Sequence, residues 1–283
     1  MDSSAIDAQG VMKARAPLAL SSATIALFLY VPLIVIGVYS FNAAKHSETW
    51  TGFSLNWYRS LPTNVVALAA VKNSLTLGIC SAAISTLLGT MLGYGMYRRS
   101  SKRIASFLHL PICLPDIVQA VALLLFFSVL HNCLGILGLG MTAMILGHVT
   151  FQIPFVAVVV RARCATLDRS WEEAARDLGA TQAQTFWHVT LPMLRPGIFA
   201  AAMLAFTLSL DDFVVSFFTG GAGSTTLPVY IYSSVKRGIS PEINALSTLL
   251  IGAAVAATTV VTLIQKSPTI PMDEPESPAR NVE

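Results

Sequence analysis

The hydrophobic pattern divides the chain into long stretches with few or no charges, separated by short polar segments. The stretches are 16–44, 73–97, 104–160, 196–235 and 243–265, and only three acids interrupt them. The glycine-rich segment 131–140 divides the third stretch in two. A helix that crosses the ~30 Å hydrocarbon core of a bilayer needs about 20 apolar residues. The pattern therefore predicts six membrane-spanning helices, near 17–41, 70–97, 104–130, 141–162, 195–218 and 243–265.

Composition also indicates a bilayer as the surrounding solvent. Of the 283 residues, 54% are hydrophobic and 12% are charged, whereas a soluble domain carries about 25% charged residues. The first apolar stretch is longer than the ~7–15-residue core of a signal peptide, and no A-x-A-like cleavage site follows it closely. This stretch is therefore predicted to remain as the first membrane helix. The net charge is only +3, and no basic block with interleaved aromatics indicates a nucleic-acid partner.

Positive residues orient the predicted helices, because short cytoplasmic loops carry an excess of Lys and Arg. With the N-terminus in the cytoplasm, thirteen Lys and Arg residues lie inside and five outside, and the cluster at 98–103 lies inside. Both termini are then cytoplasmic. The chain divides into an N-terminal tail (1–16), a six-helix membrane domain (17–265) and a C-terminal tail (266–283). Four prolines among charges predict disorder in that last tail.

The cytoplasmic segment after the fourth span carries the signals of two short helices. Ser170 is a candidate N-cap, with Glu173 three residues later completing a capping box. Gly179 fits just past the end of this first helix, where left-handed backbone is needed. Thr181 is expected to cap a second helix, which Pro192 would end. The pattern predicts two short helices joined by a glycine turn.

The same segment, 168–192, combines small side chains with acids. Ala174 and Ala175 would let another surface approach closely. The flanking acids that would fix its register are Glu172, Glu173 and Asp177. Two interpretations are open from the residues alone: a docking surface for a soluble partner, or an amphipathic linker that rests on lipid headgroups.

Three acids lie inside predicted spans: Asp116, Asp211 and Asp212. An intramembrane charge is costly, so such residues usually face a cavity and mark a solute pathway. Adjacent helical residues point about 100° apart, so one of the Asp211–Asp212 pair is expected to face the pore, with Asp211 favoured. Acids without intramembrane Lys or Arg favour a cationic solute. The alternatives are that Asp116 only supports a proline kink, and that the pair meets a Lys or Arg of a neighbouring subunit.

Other chemistry is not indicated by the sequence. The segment 219–228 is rich in glycine, but it lacks the lysine of a phosphate-binding loop and is predicted to be a flexible, outer re-entrant loop. No nucleotide-binding motif, catalytic constellation or His or Cys spacing typical of a metal site occurs. The chain is therefore expected to bind no cofactor or metal itself and to be no enzyme. The four cysteines are expected to be small apolar side chains.

A longer motif runs through the cytoplasmic segment. EAA at 173–175, Gly179, Val189 and LP at 191–192 resemble the EAA motif of ABC importer permeases, which usually has Ile where Val189 stands. The resemblance implies an all-α membrane protein with the type I importer permease fold. It also implies that segment 168–192 holds a coupling helix, with Glu173, Ala174, Ala175 and Gly179 contacting a separate ATPase subunit.

Six further segments resemble the putrescine and spermidine importer permeases, specifically the second permease of the pair. They are YSFN at 39–42, LPDIV at 114–118, SLDDFVV at 209–215, TTLP at 225–228, SSVK at 233–236 and SPEINA at 240–245. The resemblance implies an inner-membrane subunit that imports polyamines by alternating access. The implied partners are a homologous permease, two ATPase subunits that bind ATP-Mg, and a periplasmic polyamine-binding protein. A same-class permease for another cationic or small organic solute is the alternative.

Overall fold

The computed structural model describes residues 3–44, 49–99, 102–238 and 241–265. Within these ranges the chain is helical, and one isolated β-bridge joins Asn42 and Phe53. The helices in chain order are α1 (Ser3–Tyr39), α2 (Asn56–Ser60), α3 (Val65–Arg98), α4 (Lys102–Cys113), α5 (Asp116–Leu134), α6 (Met141–Ala165), α7 (Ser170–Asp177), α8 (Gln182–Thr185), α9 (Leu191–Asp211), α10 (Val214–Thr219), α11 (Leu227–Lys236) and α12 (Pro241–Gln265). The C-terminal tail predicted from 266 onward lies outside the described residues.

The length and hydropathy of these helices confirm an all-α membrane protein with about six spans. Five segments of the described chain are long and apolar enough to cross a bilayer: Ser21–Tyr39, Val65–Arg98, Asp116–Leu134, Met141–Ala165 and Gln182–Asp211. A shorter apolar helix, Pro241–Ala256, corresponds to the predicted sixth span. The helical order and the number of apolar segments therefore follow the pattern of charge-free stretches.

Two predicted spans are broken where the sequence pattern had them continuous. The predicted span 104–130 is divided between α4 and α5, because Pro115 has extended backbone (φ −58°, ψ 134°) and lacks the N–H that would continue α4. The predicted span 195–218 is divided between α9 and α10, because the backbone at Asp212 is extended (ψ 121°). Both breaks bring acidic residues to helix ends.

Residues 60–239 form one compact unit, whose centre is made by α3, α6 and α9. The helices approach closely at glycines of α3: a Cβ added at Gly93 would lie 2.6 Å from the carbonyl oxygen of Ala157, and one at Gly89 would lie 2.6 Å from Cβ of Val156. Small residues four apart are typical of tightly packed membrane helices. The apolar core around this contact comprises Ala82, Val156, Val160, Cys164, Leu194, Ala201 and Ala205.

The glycine-rich segment 219–228 has fixed partners, in contrast to the flexible loop expected from its composition. The side-chain amide of Asn73 donates to the carbonyl oxygens of Gly223 and Thr225, at 2.9 and 3.0 Å. The hydroxyl of Ser74 accepts from the backbone N–H of Leu227 at 2.8 Å. Polar groups near the start of α3 therefore hold this segment and place the start of α11.

The described residues 3–44, 49–59 and 241–265 belong to a second compact unit, in which α1 contacts α12. The side chain of the fully buried Asn42 organises the turn after α1 by donating to the Thr49 carbonyl oxygen at 2.7 Å and accepting from the Thr51 N–H at 3.0 Å. The indole N–H of Trp57 donates to the Asn42 carbonyl oxygen at 2.8 Å. Backbone and side chain of one asparagine thus hold this turn together.

Candidate functional site

One cavity of about 310 Å³ brings together the three acids predicted from the sequence, Asp116, Asp211 and Asp212. The helix breaks described above explain why they meet: Asp116 is the first residue of α5, and Asp211 is the last residue of α9. Two interrupted helices therefore present their ends to the same space. The remaining residues around the cavity are Pro111, Ile112, Gln119, Phe151, Phe155, Leu208, Phe213, Val214 and Val215.

Asp212 is held by hydrogen bonds from its own chain. One carboxylate oxygen accepts from the N–H of Val215 at 3.3 Å, and the other accepts from the N–H of Ser216 at 2.9 Å. The second oxygen also lies 3.3 Å from Nε2 of His148. Its side chain is only 11% exposed. Asp212 thus satisfies the free N–H groups at the start of α10, the role of a helix-capping carboxylate.

His148 is fully buried and belongs to a polar network in the centre of the unit. Its Nδ1 lies 2.8 Å from the hydroxyl of Ser209, and its Nε2 lies 3.2 Å from that of Ser216. The Ser209 hydroxyl accepts from Ser81 at 3.3 Å, which continues the network toward α3. Gln152, also fully buried, extends it by donating to the Ser81 hydroxyl at 3.2 Å.

Sequence reasoning missed His148 and Gln152. Both lie inside a predicted span, where polar side chains are costly and tend to be functional or paired. Their presence in the middle of α6 was the available signal. Histidine was considered only as a possible metal ligand, whereas His148 is a hydrogen-bonding partner of Asp212.

Asp116 and Asp211 differ from Asp212 in being open to the cavity. Both are exposed, and within the described residues no hydrogen bond or ion pair from another residue reaches either carboxylate. None of the described residues that surround the cavity is Lys or Arg. Phe151, Phe155 and Phe213 add aromatic rings, whose faces attract ammonium groups. The cavity therefore has the chemistry of a site for an organic cation.

The helix pair predicted in segment 168–192 is present, but the residue that caps its first helix differs from the expected one. Ser170 was expected as the N-cap. Instead the carboxylate of Asp168 accepts from the Ser170 N–H at 2.9 Å, and Ser170 is already helical. This bond and one from the Ser170 hydroxyl hold the pKa of the Asp168 carboxyl below its usual range. A carboxylate is a stronger acceptor than a hydroxyl and also suits the positive end of the helix dipole.

The turn after α7 confirms the role expected of Gly179. Its φ is +87°, in the left-handed region that favours glycine. The Gly179 N–H donates to the Arg176 carbonyl oxygen at 2.8 Å, and the Ala180 N–H donates to that of Ala175 at 3.0 Å. These two bonds form a Schellman motif. Gly179 therefore ends α7 with the carbonyls of Ala175 and Arg176 paired.

The second helix of this segment, α8, is capped as predicted, but the helical path does not stop at Pro192. Thr181 and Gln184 form a reciprocal capping box. Residues Phe186–Thr190 then adopt π-helical hydrogen bonding and continue into α9. The Leu191 N–H donates to the Phe186 carbonyl oxygen, and Pro192 falls in the first turn of α9, where its missing N–H is tolerated. The segment Gln182–Asp211 is consequently one continuous helical rod.

The side chains of α7 face two directions. Glu172 faces inward: one of its oxygens lies 3.1 Å from Nη1 of Arg98, and the other accepts from the Thr190 hydroxyl at 2.7 Å. The other acids and the small residues proposed for docking are on or near the surface: Glu173, Ala174, Asp177 and Gly179 are exposed, and Ala175 is half-buried. Within the same segment, Leu178 is 90% exposed and Trp171 is 61% exposed.

Arg169 ties this helix to the end of α3. Its Nε donates to the hydroxyl of Tyr97 at 3.0 Å, and its guanidinium carbon lies 5.1 Å from the centroid of the same ring. The contact raises the pKa of the guanidinium, which is charged at every physiological pH in any case. Together with the Arg98–Glu172 pair, it fixes α7 relative to the membrane helices and leaves its outer face open.

Comparison with known proteins identifies the family. The sequence profile of the binding-protein-dependent transport system inner membrane component matches residues 85–267. The chain is 44% identical over 231 residues to the putrescine transport system permease protein PotI of Escherichia coli (strain K12), covering 80% of this chain and 82% of PotI. The chain therefore belongs to the family of inner membrane components of binding-protein-dependent transport systems.

A second relative and the solved structures are consistent with this assignment. The spermidine/putrescine transport system permease protein PotC of Escherichia coli (strain K12) is 38% identical over 245 residues, which cover 86% of this chain and 91% of PotC. A chain of the bacterial alginate ABC transporter, solved with an alginate pentasaccharide-bound periplasmic protein, has a TM-score of 0.68 at 19% identity, covering 95% of this chain and 100% of that one. The MetNI methionine ABC transporter gives a TM-score of 0.56 at 22% identity over 72% of this chain and 93% of that one. The structural matches establish the importer permease fold.

Proposed function

We propose that this chain is a permease subunit of an ATP-driven importer that moves polyamines, putrescine or spermidine, from the periplasm to the cytoplasm. The observation that carries the proposal is the cavity with two unengaged carboxylates, Asp116 and Asp211, and no basic residue around it among the described residues. Such a cavity favours solutes with ammonium groups over anions or neutral sugars. The names of the relatives, PotI and PotC, point to the same class of solute.

The chemistry of a polyamine fits the two kinds of group around the cavity. Its ammonium groups would pair with the carboxylates of Asp116 and Asp211. Its methylene chain would lie against the rings of Phe151, Phe155 and Phe213, whose faces also attract the ammonium groups. Asp212 would contribute by holding the break between α9 and α10 in place, since its oxygens are already bonded within the chain.

The energy for transport would come from ATP-Mg bound to a separate pair of ATPase subunits. The exposed face of α7, with Glu173, Ala174, Asp177 and the turn at Gly179, is proposed to dock on one ATPase. Ala175 lies beside this face and Glu172 behind it, where its pair with Arg98 supports the loop. The distribution of Lys and Arg supports a cytoplasmic position for this loop and for both termini.

The complete importer would also contain a second homologous permease and a periplasmic polyamine-binding protein. In the proposed cycle, ATP binding closes the ATPase pair and displaces the docked loops. The permease pair then opens outward and receives the solute from the binding protein. Hydrolysis returns the pair to the inward-open state and releases the polyamine into the cytoplasm.

Uptake of radiolabelled putrescine tests the proposal directly. Cells that lack their own polyamine importers would be supplied with this chain and its partner subunits. We expect ATP-dependent uptake that unlabelled spermidine reduces by competition. Cells carrying the same subunits with an ATPase-inactive variant are the control. No uptake above this control, together with no competition by spermidine, would overturn the polyamine assignment.

A further inference from the structure

Asp212 borders the acid-lined cavity, yet its charge is used within the chain. One oxygen accepts from the Val215 N–H at 3.3 Å and the other from the Ser216 N–H at 2.9 Å. The only side chain that the described structure places in an ion-pair contact with it is His148, whose Nε2 lies 3.3 Å from that second oxygen. His148 is fully buried on α6 and is not among the residues that surround the cavity, so it contacts Asp212 without facing the solute.

The contacts of His148 indicate that its Nε2 carries a proton. A carboxylate can only accept, so Nε2 must carry the proton that faces Asp212. In the neutral ring Nδ1 then accepts from the Ser209 hydroxyl, which lies 2.8 Å away. Ser209 belongs to α9 and Asp212 to the break that follows it. The imidazole therefore spans the break and holds the carboxylate in a fixed direction.

We propose that His148 sets the charge preference of the transport site by retaining Asp212, so that this chain offers two free carboxylates rather than three. The inference rests on the proposed function and deepens it. Asp116 and Asp211 can pair with the two ammonium groups of a diamine. A third free carboxylate in the same 310 Å³ cavity would instead favour a triamine. His148 is thus a specificity-determining residue that acts through Asp212 without touching the solute.

The test is the ratio of KM for spermidine to KM for putrescine, measured with the complete importer. His148→Asn places an amide near the position of Nδ1, keeping the partner of Ser209 but withdrawing the donor from Asp212. This ratio should then fall by roughly fivefold or more, because spermidine gains a charge pair that putrescine does not. Fivefold is the factor given by one added charge pair about 4 Å apart in water. His148→Gln places its amide near Nε2 and should keep the wild-type ratio. The double variant His148→Asn/Asp212→Asn should restore that ratio, since the released charge is gone.

The outcomes separate this inference from the proposed function. Equal loss of uptake for both amines in His148→Asn, with the ratio unchanged, would show a structural role only and overturn the inference. A shift that persists in the double variant would also overturn it. If His148→Asn fails to reach the membrane, the single variant Asp212→Asn decides. A changed KM ratio in this variant would mean that Asp212 already faces the solute in the wild type, which would overturn the inference. No uptake of either amine by the wild-type importer would overturn both proposals.

Discussion

Asp211 and Asp212 are neighbours in the chain but have different surroundings. Both oxygens of Asp212 accept hydrogen bonds, whereas Asp211 is exposed to the cavity and receives none from another described residue. The sequence alone could state that adjacent helical residues diverge by about 100°. It could not decide which one would be engaged, because His148 reaches Asp212 from a helix that lies some sixty residues earlier.

Asp211→Asn tests whether the open carboxylate binds solute. Removing its charge should raise the KM for putrescine about tenfold or more, because a charge pair contributes roughly 1–4 kcal/mol at protein surfaces and clefts. Uptake kinetics with the complete importer provide the measurement. Asp211→Glu, which keeps the charge, is the matched control and should stay much closer to the wild type. An unchanged KM in Asp211→Asn would exclude a binding role for this residue.

At the scale of helices, the two breaks differ in how visible they are in the sequence. Pro115 marks the division between α4 and α5, because proline removes a helical donor and restricts the residue before it. The break after Asp211 has neither proline nor glycine. Its only local signal is Asp212, which acts as a cap for α10. An acid within an apolar stretch can therefore mark the start of a helix as well as a solute pathway.

The packing of α3 on α6 can be tested by two glycines on the same helix. A Cβ at Gly93 would come within 2.6 Å of the Ala157 carbonyl oxygen, whereas one at Gly95 would meet nothing within 4 Å. We expect Gly93→Ala to destabilise the importer by about 1–3 kcal/mol, the usual cost of overpacking. Gly95→Ala, the matched control, should be neutral or slightly stabilising. Thermal unfolding of the purified importer would measure both, and equal midpoints would contradict the close approach.

At the scale of the whole molecule, charge-free stretches were sufficient to predict an all-α membrane protein with six spans. The arrangement of those spans was not predictable, because helix contacts depend on side chains from distant parts of the chain. Gly89 and Gly93, four residues apart on α3, were an available signal of close packing. The two short helices after α6 were anticipated from segment 168–192, but the inward direction of Glu172 depends on Arg98 and Thr190.

The proposed docking of the ATPase on the exposed face of α7 can be tested at one apolar residue. Leu178 is 90% exposed at the end of that helix, beside Gly179. We expect Leu178→Asp to abolish copurification of the ATPase with this chain, because a buried charge without a partner is strongly unfavourable at an interface. Ile136→Asp makes the same change at an exposed residue in the loop between α5 and α6, predicted to be outside, and should retain the ATPase. Copurification with Leu178→Asp at wild-type levels would contradict docking at this face.

The uninterrupted helix from Gln182 to Asp211 has a mechanical consequence. Its 30 residues correspond to about 45 Å at 1.5 Å per residue, with the capped start beside α7 at one end and the cavity carboxylate at the other. We expect a tilt imposed at the end beside α7 to be carried along this helix to Asp211. The π-helical turn at Phe186–Thr190 and Pro196, which lacks a backbone N–H inside α9, are the two irregular places along it, and bending there would absorb part of the tilt.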